Sequence, residues 1–484
     1  MRIVFTSFYE KSSMGGGPGI ITHELPYVFS KKYEVLFICP GRKNRLTKVN
    51  KNLKIAYISS ETNRELSIPF LSVPNVFHIF KTLSDFKPDV IHSQEVDPIS
   101  LITQIWAIVH NVAFFHTIHV FPGRRSEFGI SEASKIFSQF YSSNLISRYI
   151  MNYFNNTDAL ITLNQYVENN IRDFGYTGKT FIIPNGINLD DYRKCKPTNI
   201  KSNKKELLFV GFLSKRKNQI YLIEVMKYLP QNYHLTLIGD ALNQNYKKEI
   251  VAYICENKLN KNITIKNKLP HKSVTQYLNR THFFVSASIM ELQSLVILEA
   301  LASGTPVIGL ENETVDELID KNVGVKLPKD TTPAQFAKEV QKLCALSIDE
   351  YQSLSRNAQE RVSCLDWNIV SEKIVVAYQK VIKDKKDRDQ KQKYKMINKV
   401  IVVFKDLRFI KFIRSYIKKI LSYLPFDKEE KEIKDHKMQP KKLLTLKWQY
   451  LYLFITILTT LSGVFIFRLI RNTGKIKKNL TKKG

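Results

Sequence analysis

Glu291 and Glu299 stand eight positions apart in the stretch MELQSLVILEALASGTPVIG and bracket an otherwise uncharged run. A strand over residues 282–286 and a helix starting near Ser294 would put Glu291 at the strand's carboxyl end and Glu299 a turn or more into the helix. The helix N-terminus then falls between the two carboxylates. Its unpaired N–H groups, near Ser294 and Leu295, form an anion site suited to a phosphate, and each carboxylate can accept hydrogen bonds from hydroxyls. A ligand with a phosphate between two polyols fits that arrangement. A buried α/β helix with solvated glutamates also fits, and on spacing alone it is the commoner case.

The elements that must position these residues read as alternating strands and helices. Residues 2–6 suit a buried strand, followed by Gly15, Gly16 and Gly17 and a helical pattern over 20–31. Glycines there would let a phosphate or acceptor group approach the backbone ahead of another helix N-terminus. A flexible turn is the plain alternative. Strands are further expected at 34–38, 53–58, 89–93 and 112–117, with helices between several of them, and such alternation implies a parallel sheet. Ligands of parallel sheets bind beyond the carboxyl ends of the strands, which singles out His116 and His119 in FFHTIHVFPG. A long amphipathic helix over 131–155 is rich in Phe and Tyr, which suit either a protein core or a lipid-facing surface. Strands at 159–162 and 181–184 lead to Asn185-Gly186, a natural turn. A Lys- and Asn-rich linker over 197–205 precedes a second alternation, with strands at 207–210, 234–240, 262–265 and 282–286 and a last helix to about residue 383.

Composition narrows the class. A chain of 484 residues with 44% hydrophobic content can build two or three cores, which excludes disorder throughout. Lys and Arg number 74 against 44 Asp and Glu, a net charge of +30 that attracts polyanions, either nucleic acid or an anionic membrane. No nucleic-acid-binding module is recognisable, and much of the basic excess flanks apolar segments near the C-terminus, so nucleic acid is not the expected partner. Five scattered cysteines (Cys39, Cys195, Cys255, Cys344, Cys364) without a Cys-x-x-Cys pair support neither a disulfide framework nor a zinc site, and suit a reducing cytosol. The strand-like MRIVFTSF start gives no expectation of a secretory leader.

Several motifs in order resemble glycosyltransferase family 4, retaining enzymes of the GT-B fold. Glu-x7-Glu followed by Ala-Leu-Ala-Ser-Gly-Thr-Pro-Val-Ile is similar to the family signature, and Gly-Gly-Pro-Gly-Ile-Ile-Thr-His-Glu-Leu to its amino-terminal glycine loop. Thr117-Ile118-His119 resembles the family's Thr-x-His, whose histidine contacts the donor sugar, and Asn185-Gly186-Ile187-Asn188 resembles the hinge motif. Gly211 to Lys217 matches Gly-Arg-x-x-x-x-Lys at the lysine, but Phe212 stands where the family has arginine. A planar guanidinium grips phosphate through two parallel bonds and an aromatic ring cannot, so Arg216 or Lys215 is expected to compensate. The resemblance covers about residues 1–383 and is similar in particular to lipid-modifying members such as diacylglycerol glucosyltransferases, through Glu-Leu-Gln-Ser-Leu at Gln293.

The resemblance implies an α/β chain with two Rossmann-like doubly wound domains facing a cleft: an acceptor domain over 1–190 and a nucleotide-sugar domain with crossover helix over 191–383. It further implies a hexosyltransferase using a UDP- or GDP-linked sugar as co-substrate, with no other cofactor and no metal. His119 and Glu291 would serve catalysis, and Gly16, Gly17, Lys217, Arg216, Ser294, Leu295 and Glu299 would bind the donor.

Beyond residue 383 the composition changes. Residues 384–447 read as a basic linker with an amphipathic helix over 396–424, suited to an anionic membrane interface or to packing on the domains. Residues 448–467 carry no charge, and twenty residues would rise about 30 Å as a helix, the thickness of a hydrocarbon core. Trp448, Tyr450 and Tyr452 add an aromatic belt, and a basic tail follows over 468–484. The expectation is a single-pass C-terminal anchor with cytoplasmic catalytic domains and a lipid or lipid-linked acceptor. The alternative is a non-catalytic, membrane-tethered scaffold that recruits anionic partners.

Overall fold

A computed structural model describes residues 1–11, 16–62, 67–69, 72–119, 144–192 and 198–386. The first domain contains β1 (Arg2–Thr6), β2 (Glu34–Gly41), β3 (Arg45–Lys48), β4 (Leu53–Thr62), β5 (Ser67–Pro69), β6 (Val90–Ser93), β7 (Ala113–Thr117), β8 (Ala159–Thr162) and β9 (Thr180–Ile182). They form one sheet in the order β3-β4-β2-β1-β6-β7-β8-β9, with β5 on β4. Only β3 and β5 run antiparallel to their neighbour. The parallel strands are near-continuous apolar runs because helices cover both faces: all of Val35 to Gly41 is buried.

The second domain repeats the plan with β10 (Lys205–Val210), β11 (Tyr233–Ile238), β12 (Ile263–Lys266), β13 (Phe283–Ser286), β14 (Val307–Leu310) and β15 (Gly324–Leu327), in the order β12-β11-β10-β13-β14-β15. Every pairing in it is parallel. In each sheet the chain builds outward from a central strand in one direction and then returns to build in the other. The switch lies between β1 and β6 in the first domain and between β10 and β13 in the second. Loops leaving adjacent strands at such a switch diverge and leave a crevice, the usual ligand position of open parallel sheets. The glycine loop follows β1, and the Gly211–Lys217 loop and Glu291 follow β10 and β13.

The two domains share a core. One apolar cluster runs from Phe5, Phe29 and Phe115 through Ile187 and Trp367 to Leu208, Leu295 and Leu298. The helix Trp367–Lys386 joins them by returning from the second domain to the first. Its Tyr378 packs edge-on against Phe115, with ring centroids 4.9 Å apart, and its hydroxyl bonds His92 Nδ1 at 2.5 Å. Lys385 on the same helix is buried against Asp158 at 2.6 Å.

Two expectations change. The helix Asn144–Asn155 is the described part of the expected 131–155 helix, and its Ile150, Tyr153 and Phe154 are buried in the first domain's core, which favours the core reading there. The single-pass anchor is withdrawn: among the described residues no helix is long and apolar enough to cross a membrane. The helix Trp367–Lys386 has the length, at 20 residues, but it carries Glu372, Lys373, Lys380, Lys383, Asp384, Lys385 and Lys386 and packs on protein, so length without apolar continuity does not make a span. The amphipathic segment 396–424, the span 448–467 and the basic tail 468–484 lie outside the described residues.

Candidate active site

Because β10 and β13 pair directly, with Leu207 opposite Phe283, the loops that leave them meet. Lys217 closes a short 3-10 turn after β10, buried, and its ammonium bonds Glu291 Oε1. Arg216 lies 3.3 Å from the same oxygen and donates to the Met290 carbonyl at 2.7 Å. Burial alone would raise the Glu291 carboxyl, but the Lys217 and Arg216 charges outweigh it and hold the group below the usual carboxylate range. The Glu291 N–H donates to Glu313 Oε2 at 2.8 Å, so the loop is tied to the neighbouring helix Glu313–Leu318.

Of the two residues expected at the anion site, Ser294 has its N–H engaged by Thr314 Oγ1 at 2.9 Å, and Leu295 opens the helix Leu295–Ala302. In the Gly211–Lys217 loop the buried Ser214 hydroxyl has no partner among the described residues.

Across the crevice, Gly16 has φ +65, and a Cβ built on it would lie 2.7 Å from the Phe212 ring. A Cβ on Gly17 would lie 3.4 Å from Leu295 Cδ1. Gly16 is the position that needs a glycine, whereas a Cβ on Gly17 would make an ordinary contact, and Phe212 meets Gly16 with a flat apolar face rather than a cation. Gly15 lies outside the described residues.

His119 follows β7 at the carboxyl edge of the first sheet, partly buried, with Nε2 2.8 Å from Gln94 Oε1. Burial pulls its pKa down to about 4, so the ring is neutral at pH 7. Among the described residues no hydrogen bond joins it to Glu291. His116, the other histidine of the motif, is buried against Ser93 Oγ at 2.7 Å and packs edge-on against Tyr153, a core position.

Glu299 lies one helix face away, buried, with Oε1 3.4 Å from His271 Nε2. The hydrogen bond to Glu299 raises the His271 pKa against its burial, and Tyr192 Oη lies 3.0 Å from the same nitrogen. Burial raises the nearby Glu24 carboxyl, which accepts from Trp367 Nε1 at 3.0 Å. Thus Lys217, Arg216 and Glu291 converge, Gly16 meets Phe212 and Gly17 meets Leu295 across the crevice, and Glu299 sits in a separate interdomain group.

Spacing did not point to His271, Glu24, Gln94 or the hinge partners. Gln293 accepts from the Asn185 N–H at 2.7 Å, and Asn164 donates to the Leu292 carbonyl at 2.7 Å and to Glu317 at 3.1 Å. These link residues more than a hundred positions apart, so no local pattern marks them. The only available signal was that Asn185-Gly186 forms a turn, and a turn in contact with another loop needs a partner. Among the described residues no group of three or more His, Cys, Asp or Glu is placed to hold a metal.

Comparison with known proteins gives a consistent picture. Residues 15–191 match the family description "Glycosyltransferase Family 4" and residues 192–361 match "Glycosyl transferases group 1". The chain is 25% identical over 281 residues to the alpha-monoglucosyldiacylglycerol synthase of Streptococcus pneumoniae, covering 53% of this chain and 62% of that protein. It is 23% identical over 317 residues to the UDP-Gal:alpha-D-GlcNAc-diphosphoundecaprenol alpha-1,3-galactosyltransferase of Escherichia coli, covering 61% and 76%. Its fold superposes on sucrose-phosphate synthase from Thermosynechococcus elongatus with a TM-score of 0.66 at 19% identity, over 79% of this chain and all of that one. Two consecutive domain matches without a gap, on a GT-B architecture, lead to one conclusion: the chain belongs to the family 4 type of glycosyltransferases and is a hexosyltransferase, of a kind that uses a nucleotide sugar as co-substrate.

Proposed function

We propose that the chain moves a hexosyl group from a UDP- or GDP-linked sugar to a lipid or lipid-linked acceptor, with retention of configuration at the anomeric carbon. The observation that carries the reading is the convergence of Lys217 and Arg216 on Glu291 at the switch between β10 and β13, facing Gly16 and Gly17 of the other domain. Charge develops on the departing diphosphate, so fixed donors aimed at it supply most of the rate gain. Lys217, Arg216, the Ser214 hydroxyl and the Leu295 amide at the helix start are the donors within this loop system. Arg216 stands in for the cation that Phe212 does not provide. Glu291, anchored by its two cations, accepts hydroxyls of the donor sugar, Glu299 holds the ribose beside His271, and neutral His119 steadies the sugar. Retention rests on the family resemblance, and a lipid acceptor on the names of the two relatives.

The test is a panel of UDP- and GDP-sugars offered to purified full-length protein with diacylglycerol and polyprenyl-diphosphate-sugar acceptors, scored by product mass. At least one donor is expected to give product, with Glu291→Gln reducing kcat a hundredfold or more. An absence of product and of donor binding across the whole panel would overturn the reading.

A further inference from the structure

Gln94 is 1% exposed, at the carboxyl end of β6 beside the β7 end that carries His119. Its Oε1 lies 2.8 Å from His119 Nε2, while its own amide nitrogen is buried with no hydrogen-bond partner among the described residues. A neutral imidazole has one N–H and one lone pair, and the partner of one nitrogen decides what the other can do. Opposite an amide oxygen, Nε2 must carry the proton. The lone pair then sits on Nδ1, turned away from Gln94. His92 and His116, the neighbouring titratable rings, are themselves held neutral by burial, so no adjacent positive charge reverses this assignment.

The Gln94–His119 pair lies at the carboxyl edge of the first sheet, on the side of the crevice that β1 and β6 open. We propose that Gln94 is a positioning residue for the transfer: it fixes the Nε2–H tautomer of His119, so that Nδ1 accepts a sugar hydroxyl. The proposal rests on the reading of His119 given above and adds the reason that this ring acts as an acceptor.

The tautomer can be read in the ligand-free full-length protein by nitrogen NMR of labelled histidines, with His119 assigned by its loss in His119→Asn. The Nε2–H form is expected in the wild type and a mixture in Gln94→Leu. In the transfer assay Gln94→Leu should lower kcat tenfold or more with the donor KM changed less than threefold. Gln94→Glu places a carboxylate against the ring, so His119 should titrate near neutrality and kcat should gain an acidic limb that the wild type lacks above pH 5. This variant, nearly the same shape, decides the case if Gln94→Leu does not fold. A wild-type Nδ1–H tautomer, or a Gln94→Glu pH profile identical to wild type, overturns the proposal. Failure of the wild type to transfer any sugar would instead defeat the functional reading, and the ligand-free tautomer would still report on Gln94.

Discussion

Besides the sugar contact proposed for it, Glu291 neutralises a buried ammonium, since Lys217 is only 8% exposed. Removing one member of a buried ion pair leaves the other uncompensated, at a cost of about 3–5 kcal/mol. Glu291→Ala is therefore expected to lower the thermal midpoint by several degrees, and Glu291→Gln by less, because an amide oxygen still accepts from Lys217. Nucleoside diphosphate should restore more of the loss in Glu291→Ala than it adds to the wild type, as its phosphate gives Lys217 a new counter-charge. Thermal denaturation with and without the nucleotide checks both points, and equal shifts in all three proteins would refute the idea. At this scale the sequence was informative where chemistry follows a spacing. Glu291, Lys217 and the glycines were readable as candidates, and Phe212 as a missing cation. That the Phe212 ring lies against Gly16, or that Ser294 gives its N–H to Thr314, could not be read, because both depend on contacts between separate loops.

Among the elements, the loop between β13 and the helix Leu295–Ala302 is held by both domains at once. Glu313 and Thr314 hold it from the second domain, and Asn164 and the Asn185 backbone from the first. Gln293, which suggested a glycolipid product by resemblance, has its side-chain oxygen engaged at the hinge. Gln293→Leu is expected to leave the Asn185 N–H unpaired in a partly buried position, at about 1–3 kcal/mol. With the hinge loosened, kcat should fall several-fold while substrate range stays as in the wild type. A donor and acceptor panel on the variant would show this, and an altered substrate range with unchanged stability would contradict it. Most parallel strands, though not the four-residue β14 and β15, were legible because burial on both faces writes apolar runs into the chain. The edge strands β3 and β5 were not: all four residues of β3 are exposed, so Arg-Leu-Thr-Lys carries no burial pattern to detect.

For the whole molecule, acid should be the weak point, through histidines rather than carboxylates. Burial holds His92 down to about 3 and His116 well below its ordinary value of 6.5. The folded chain refuses protons that the unfolded chain takes up below pH 6.5. Stability from these groups is thus fully present above pH 6.5 and is lost as pH falls towards the folded values. For His92 alone the loss between pH 6.5 and 4.5 is roughly 2–3 kcal/mol. Urea denaturation across that range should show falling stability in the wild type and a flatter slope in His92→Gln, and parallel slopes would refute it. The two-domain architecture and the return of the last described helix onto the first domain were expected from motif order and resemblance, whereas the contacts that seat that helix were not, since His92 and Tyr378 are 286 positions apart. That return bears on how the chain is made. During translation, His92 and Asp158 emerge early, but Tyr378 and Lys385, which bond them, come 286 and 227 residues later. The amino-terminal half leaves the ribosome with an imidazole and a carboxylate that have Thr117 and the Phe114 N–H at hand but each still lack one partner. Synthesis of the entire second domain must finish before the first can complete its interior.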